Sequence, residues 1–179
     1  MEVCMKRSFG LWQLFGFAIT SLLGTLLHFA YDWSGGSSLV APFSGVNEST
    51  WEHMKLLFWP MLIFALIESF FFKEYADFWF VKLKGILLGL MLIPIIFYTY
   101  NGVIGRSPDW INIAIFFIAA AASYIYETRR LGTSAVFLKG YLSLSLLLII
   151  ALSFVVFTFK VPHLNIFIDP LTNSYGITK

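Results

Sequence analysis

Five apolar stretches, at about 9–31, 54–72, 83–101, 111–127 and 136–159, alternate with short polar segments along the 179 residues of this chain. Crossing the hydrocarbon of a bilayer takes roughly 20 helical residues at about 1.5 Å each, and every stretch is close to that length. The pattern predicts an all-α fold, a polytopic transmembrane helical bundle of about five spans forming one domain over residues 1–179. The connectors are a Ser, Gly and Pro loop at 32–47, a charged segment at 73–84, and turns at 101–109 and 128–133. Beyond residue 159 the chain turns more polar, and Pro162 and Pro170 argue against a continuing helix there.

Within the spans, Gly85 and Gly89 form a small-x-x-x-small face, and 119–123 offers another, so these two helices are expected to approach closely. Pro60 and Pro94 fall inside the second and third spans, where kinks are expected. The first stretch follows Lys6 and Arg7 in the manner of a signal sequence. It is about span length and no A-x-A-like pair closes it, so a retained first helix is expected.

With the amino terminus cytoplasmic, Lys6, Arg7, Lys73, Lys82, Lys84, Arg129, Arg130 and Lys139 fall inside and Lys55, Arg106, Lys160 and Lys179 outside. The excess of inner cations favours this orientation in the cell membrane. An odd number of spans then puts the carboxyl-terminal tail outside, beside the loop that enters the second span.

Composition sharpens the class. The chain is 59% hydrophobic, with twenty Phe, eight Tyr and six Trp, more than a water-soluble domain of this length can hide. The lipid bilayer is therefore the expected partner. Its +2 formal charge is spread between spans without a basic run, so nucleic acid is not. One cysteine, Cys4, allows neither an intrachain disulfide nor a thiolate metal site, and any metal would be held by nitrogen and oxygen.

Against 12% charged residues overall, Val46–Lys55 stands out, with Glu48, Glu52, His53 and Lys55 in ten positions. Ser49-Thr50-Trp51-Glu52 matches a capping box, which would start the second helix and occupy Glu52 structurally. A helix capped at Asn47 instead would put Glu48 and Glu52 on one face, with Lys55 able to pair with Glu52. His28 lies at the outer end of the first span. The tail adds Pro162-His163 and Asp169-Pro170, which also read as turn chemistry.

All three histidines thus fall on the predicted outer face. Imidazoles with neighbouring carboxylates suit a divalent metal such as zinc, which can activate water near neutral pH. On that reading His28, His53 and His163 are ligands, Asp169 is a ligand or orients one, and Glu48 or Glu52 is the general base. No His-x-x-x-His or Glu-x-x-His pair is present, so the chain carries no local zinc motif.

Two carboxylates lie elsewhere. Glu68 is fifteen residues beyond His53, roughly 22 Å deeper on a continuous helix, and is either functional or paired with Lys73, Lys82 or Lys84. Glu127, beside Arg129 and Arg130, reads as an interfacial charge group. The six tryptophans mostly sit near span borders, as an aromatic belt requires.

The residues Leu27-His28-Phe29, the run from Phe43 to Leu56 with its N-E-S-x-W-E-H-x-K core, and then Phe58 and Pro60, resemble a bacterial family of small integral-membrane proteins of unknown function. Pro162-His163, Asp169-Pro170 and Tyr175-Gly176-Ile177 are similar to that family's closing motif. Gly45 stands where proline is expected more often. The resemblance implies a polytopic membrane fold and a shared outer-face site, and no activity.

Three readings follow. The first is a metal-dependent hydrolase acting on a lipid or small polar substrate near the outer leaflet, although no nucleophile elbow is present. The second is a non-catalytic scaffold or accessory subunit in which the motif docks the tail. The third is a small transporter using Glu68, which the absence of an internal repeat disfavours.

Overall fold

A computed structural model describes residues 2–72, 74–105 and 107–177, with the side chains of residues 2–7 and 109 outside that description. Lys73, Arg106 and Lys179, and the side chains of Cys4, Lys6 and Arg7, therefore lie outside the described residues. Five helices follow one another: α1 (Glu2–Trp33), α2 (Thr50–Phe72), α3 (Phe78–Val103), α4 (Asp109–Arg130) and α5 (Gly140–Phe159). A single 3-10 turn at Asn165–Phe167 lies in the tail, and the described residues contain one isolated bridge, Ile168 to Tyr175. Each helix is long and apolar enough to cross a membrane.

The helix boundaries depart from hydropathy where polar residues found partners. α2 begins at Thr50 because Ser49 caps it, its Oγ accepting from the Glu52 amide at 3.4 Å. The other half of the expected capping box is absent: Glu52 accepts the Val46 N–H at 3.0 Å, and Ser49 N–H donates to Asn47 Oδ1 at 2.9 Å. Asn47 therefore shapes the turn before the helix and does not cap it. α3 begins at Phe78, five residues before its apolar run, so Lys82 and Lys84 lie on the helix and not in the connector. α5 starts at Gly140, later than hydropathy suggested, after Lys139 in extended backbone. Pro60 and Pro94 sit inside helices that run on without interruption.

The small-residue faces meet. Ala119 and Ser123 of α4 are fully buried, and a Cβ added at Gly89 would strike Ser123 Oγ and sit 2.7 Å from Leu57 Cδ2. Around this contact a core of Leu57, Phe58, Ile86, Leu147 and Phe154 joins α2, α3 and α5. Exposed Leu, Ile and Phe cover much of the outward surface, as lipid contact requires.

At the end of the bundle where α1 stops and α2 starts, a second kind of bonding takes over. Lys55 is 0% exposed and its Nζ donates to Glu52 Oε2 at 2.6 Å, to Ala41 O at 2.9 Å and to Thr158 Oγ1 at 3.0 Å. Thr158 belongs to α5 and Ala41 to the loop after α1, so one ammonium ties two segments to α2. Ser44 Oγ bridges the Tyr31 N–H, at 2.9 Å, and the Leu27 carbonyl, which fastens the same loop to α1. Trp59 Nε1 adds a bond to Pro42 O at 2.9 Å.

The tail folds back over this end. Trp51 packs on Phe154 of α5 and Phe167 of the tail, with ring centroids 4.6 and 4.7 Å away. Asn47 Nδ2 donates to Gly176 O at 2.9 Å, and Tyr98 Oη to Asn165 O at 3.0 Å. The entry of α2 and the tail therefore share one end of the bundle, as the odd span count required.

Two outcomes are expected. Replacing Lys55 by Met strands the buried Glu52 carboxylate and lowers stability by about 3–5 kcal/mol, read as detergent-solubilised thermal unfolding, while Glu52→Leu with Lys55→Met recovers part of the loss. Gly89→Leu forces α3 from α4 and costs about 1–3 kcal/mol in the same assay; unchanged melting in either case contradicts the packing described.

Candidate metal centre

The polar residues of the α2 entry divide by what they touch. Glu52 and Lys55 are buried and bonded to each other and to the backbone. Glu48 and His53 instead face a cavity of about 370 Å³. Helix α1 reaches the same cavity through Gly24, Thr25, His28 and Phe29. Gly24 makes this possible: a Cβ there would lie 2.9 Å from the Leu56 carbonyl of α2, so only glycine lets α1 come this near. One turn later on the same face, His28 arrives beside His53, with ring centroids 5.7 Å apart.

Glu48 stands between the two rings. Its Oε1 is 3.5 Å from His28 Nε2 and its Oε2 is 3.5 Å from His53 Nε2. One ligand atom from each of the three residues lies within 4.8 Å of the others. Ligands around a tetrahedral zinc sit about 3.3 Å apart, so small rotations bring this trio to coordinating distance. His53 Nδ1 is 3.0 Å from the Ser49 carbonyl, a bond that holds the proton on Nδ1 and turns the Nε2 lone pair towards Glu48. All three residues are partly exposed.

The other predicted site residues are placed elsewhere. Glu52 accepts from Lys55 and Val46 with its Oε2, which leaves the carboxylate tied into the core rather than facing the cavity. His163 lies on the exposed tail with its ring edge-on to Tyr175 at 4.8 Å. Asp169 is buried in a turn of its own making, accepting from Leu171 N at 2.8 Å and Thr172 Oγ1 at 2.9 Å. Turn formation with Pro170 following thus accounts for Asp169, and neither His163 nor Asp169 joins the trio. The tail reaches the cavity through Pro170 and Leu171, which form part of its wall.

Residues without any charge complete the site. Asn101, Ser107 and Asn112, at the α3 to α4 turn, line the cavity and bond among themselves: Ser107 Oγ donates to Asn112 Oδ1 at 2.8 Å and Ser107 N–H to Asn101 Oδ1 at 2.9 Å. Asn101 and Ser107 fall in a short connector, where Asn and Ser look like turn residues, and Asn112 is a lone amide at the start of an apolar span, so the sequence did not single them out. The remaining wall is apolar, with Phe29, Phe97, Ile113, Phe116 and Phe117. Phe29 and Ile113 are also exposed on the outside of α1 and α4, so the cavity wall is continuous with the surface that contacts lipid.

A separate cluster occupies the opposite end. Lys82 pairs with Glu68, and its Nζ lies 2.6 Å from Glu127 Oε2. Gln13 Nε2 donates to Glu68 Oε1 at 2.5 Å. Lys82 is thus the partner of Glu68 among those expected, and Lys84 turns away over the Phe80 ring. Glu127 is not interfacial: it is 0% exposed, and only Gly85 leaves room for its carboxylate. Its spacing of four from Ser123 and eight from Ala119 was the available signal, since it puts Glu127 on the small, buried face of α4.

No protein of established description and no solved structure matches this chain. The sequence pattern of DUF6512, a family of unknown function, does match, over residues 1–177. With that match covering nearly its whole length, the chain belongs to the DUF6512 family.

Proposed function

We propose that His28, Glu48 and His53 bind a divalent transition metal ion such as zinc, and that the protein is a metal-dependent membrane hydrolase. The observation that carries this reading is the placement of two Nε2 atoms on the two oxygens of one carboxylate, at the wall of a cavity. Two imidazoles and a carboxylate are a donor set that zinc accepts, and three protein ligands leave a coordination position open. A bound ion of this kind polarises a carbonyl and makes water acidic enough to ionise near neutral pH.

The chain's own groups fit the rest of the task. Phe97, Phe116 and Phe117 offer an apolar wall to a hydrocarbon chain, while Asn101 and Asn112 offer amide groups to a polar head. An amphipathic ester or amide entering from the bilayer meets both. Glu48 has two oxygens and can hold the ion with one while the other accepts a proton from the attacking water. The orientation argued from the cationic loops puts this end at the outer leaflet of the cell membrane.

The scaffold reading rests on a different observation. Asn47, Ser49, Trp51, Glu52 and Lys55 are all occupied by the loop, α5 or the tail, so much of the motif has a structural use. Glu48 and His53 instead meet each other and His28 at the cavity wall, and those residues discriminate between the readings.

Metal content of the purified protein tests the site. About one zinc per chain is expected, with affinity falling at least roughly tenfold in His28→Ala, His53→Ala and Glu48→Gln and unchanged in His163→Ala. Absence of metal after zinc loading, or equal loss in His163→Ala, overturns it. Activity is tested separately by mass spectrometry of ester and amide lipids in vesicles holding the protein. Products are expected only with metal present, and their rate should fall by about 100-fold or more in Glu48→Gln; a rate that chelation leaves intact overturns the metal-dependent reading, and absence of products from metal-loaded protein argues for the scaffold.

A further inference from the structure

Four helices, α1 to α4, enclose a charge imbalance. The cluster at the end of the bundle away from the histidines contains two carboxylates, Glu68 and Glu127, and one ammonium, Lys82, and all three are 0–2% exposed. Gln13 is neutral and already spends its amide on Glu68, with its oxygen 3.5 Å from Lys82 Nζ. Fully ionised, the group carries one uncompensated negative charge in a protein interior. An isolated buried charge costs several kcal/mol or more, and the group avoids this by taking up one positive charge.

The geometry shows where that charge goes. Glu127 Oε2 is held by Lys82, but Glu127 Oε1 is buried without a hydrogen-bond partner among the described residues. Among the described side chains, the neighbours from the packed elements leave the imbalance standing. From α1 they are Gln13 and Thr20; from α4, Tyr124, whose hydroxyl pairs with Thr20 at 2.7 Å and whose ring lies 5.9 Å from Lys82 Nζ. Asp77, just before α3, uses its two oxygens on the Gly132 and Ser134 amides at 3.1 Å each. No second cation reaches the group from α2, α3, α4 or α5 among the described side chains.

We propose that Glu68, Lys82 and Glu127 form an intramembrane site that binds one exchangeable proton, shared between the two carboxylates and set by the charge of Lys82. Glu68 is four residues from the end of α2, Lys82 four from the start of α3 and Glu127 three from the end of α4. The site therefore lies about 5–6 Å inside the spanning segments, within reach of the aqueous phase on that side. His53 is roughly 22 Å away along α2, so the proton site is separate from the metal centre and does not depend on it. Loading and unloading switch the interior between neutral and negative where α1, α2, α3 and α4 all meet, which couples their packing to the proton.

Infrared spectroscopy of the full chain in lipid films tests this through the carbonyl stretch of a protonated carboxyl. Wild-type protein should show one such band at neutral pH that shifts in deuterium oxide and disappears as pH is raised. Glu68→Gln and Glu127→Gln should each abolish it, because one carboxylate and Lys82 already balance. Lys82→Met should increase it about twofold, since both carboxyls then need a proton. His28→Ala should leave it unchanged, whatever becomes of metal binding. Absence of the band in wild type, its persistence in both Gln variants, or its loss on adding sodium chloride but not choline chloride at fixed pH each overturns a proton site, the last in favour of sodium.

Discussion

The buried pair of Glu52 and Lys55 is the constraint on which the placement of His28, Glu48 and His53 depends. A pair of charges removed from water gains little unless its remaining hydrogen-bonding capacity is met. Here the requirement is met by other segments: Ala41 O and Thr158 Oγ1 take the ammonium, and the Val46 amide donates to the carboxylate. Satisfying the pair therefore fixes where the 34–46 loop and the end of α5 must lie. Both are needed close to α2, because a buried ammonium with a missing acceptor is strongly unfavourable.

That arrangement explains how ten residues serve two purposes without conflict. Side chains directed into the bundle do the joining: Ser49 caps, Trp51 meets the tail, Glu52 and Lys55 tie loop to helices. Glu48 precedes the helix and His53 sits one residue from Glu52, about 100° around the axis, so both project towards α1 instead. The joined structure holds them still. The Ser49 carbonyl, itself part of the capping turn, is what orients the His53 ring. Rigid support for a ligand is a precondition of selective metal binding, since a ring free to rotate gives up affinity.

Hydropathy made the bundle legible, because about 20 apolar residues bounded by polar ones admit few structures in a bilayer. The Gly85 and Gly89 contact with α4 was legible for a similar reason: small residues at helical spacing permit only close approach. Less legible was the start of α3, where Lys82 entered the helix, whereas the Ser49 cap had marked the start of α2. Charge normally marks the end of a span, and it failed to here because Lys82 is paired inside the bundle with carboxylates of two other helices, of which the sequence suggested Glu68 but not Glu127. The site was half legible. His28, His53 and Glu48 share a cavity because Gly24 admits α1, whereas His163 and Asp169 share only the same end of the molecule. Being on one face narrows position to tens of ångströms in the plane, and ligation requires a few.

The two polar clusters are built on opposite electrostatic terms, and this bears on what each can do. At the tail end, Glu48 and the histidines are partly exposed and next to a cavity, so they are open to water and to whatever enters. A metal ion there replaces solvation that is already incomplete. At the other end, Glu68, Lys82 and Glu127 are buried just inside the helix ends, and the interactions between them are strong because little solvent screens them. Fixed dipoles are scarce as well, since Gln13 is the only amide side chain bonded to the carboxylates among the described residues. A site of that kind discriminates by charge count rather than by shape, which suits a proton far better than a structured ligand. The wide cavity with amide and aromatic walls has the converse properties, and shape and polarity can both be recognised there.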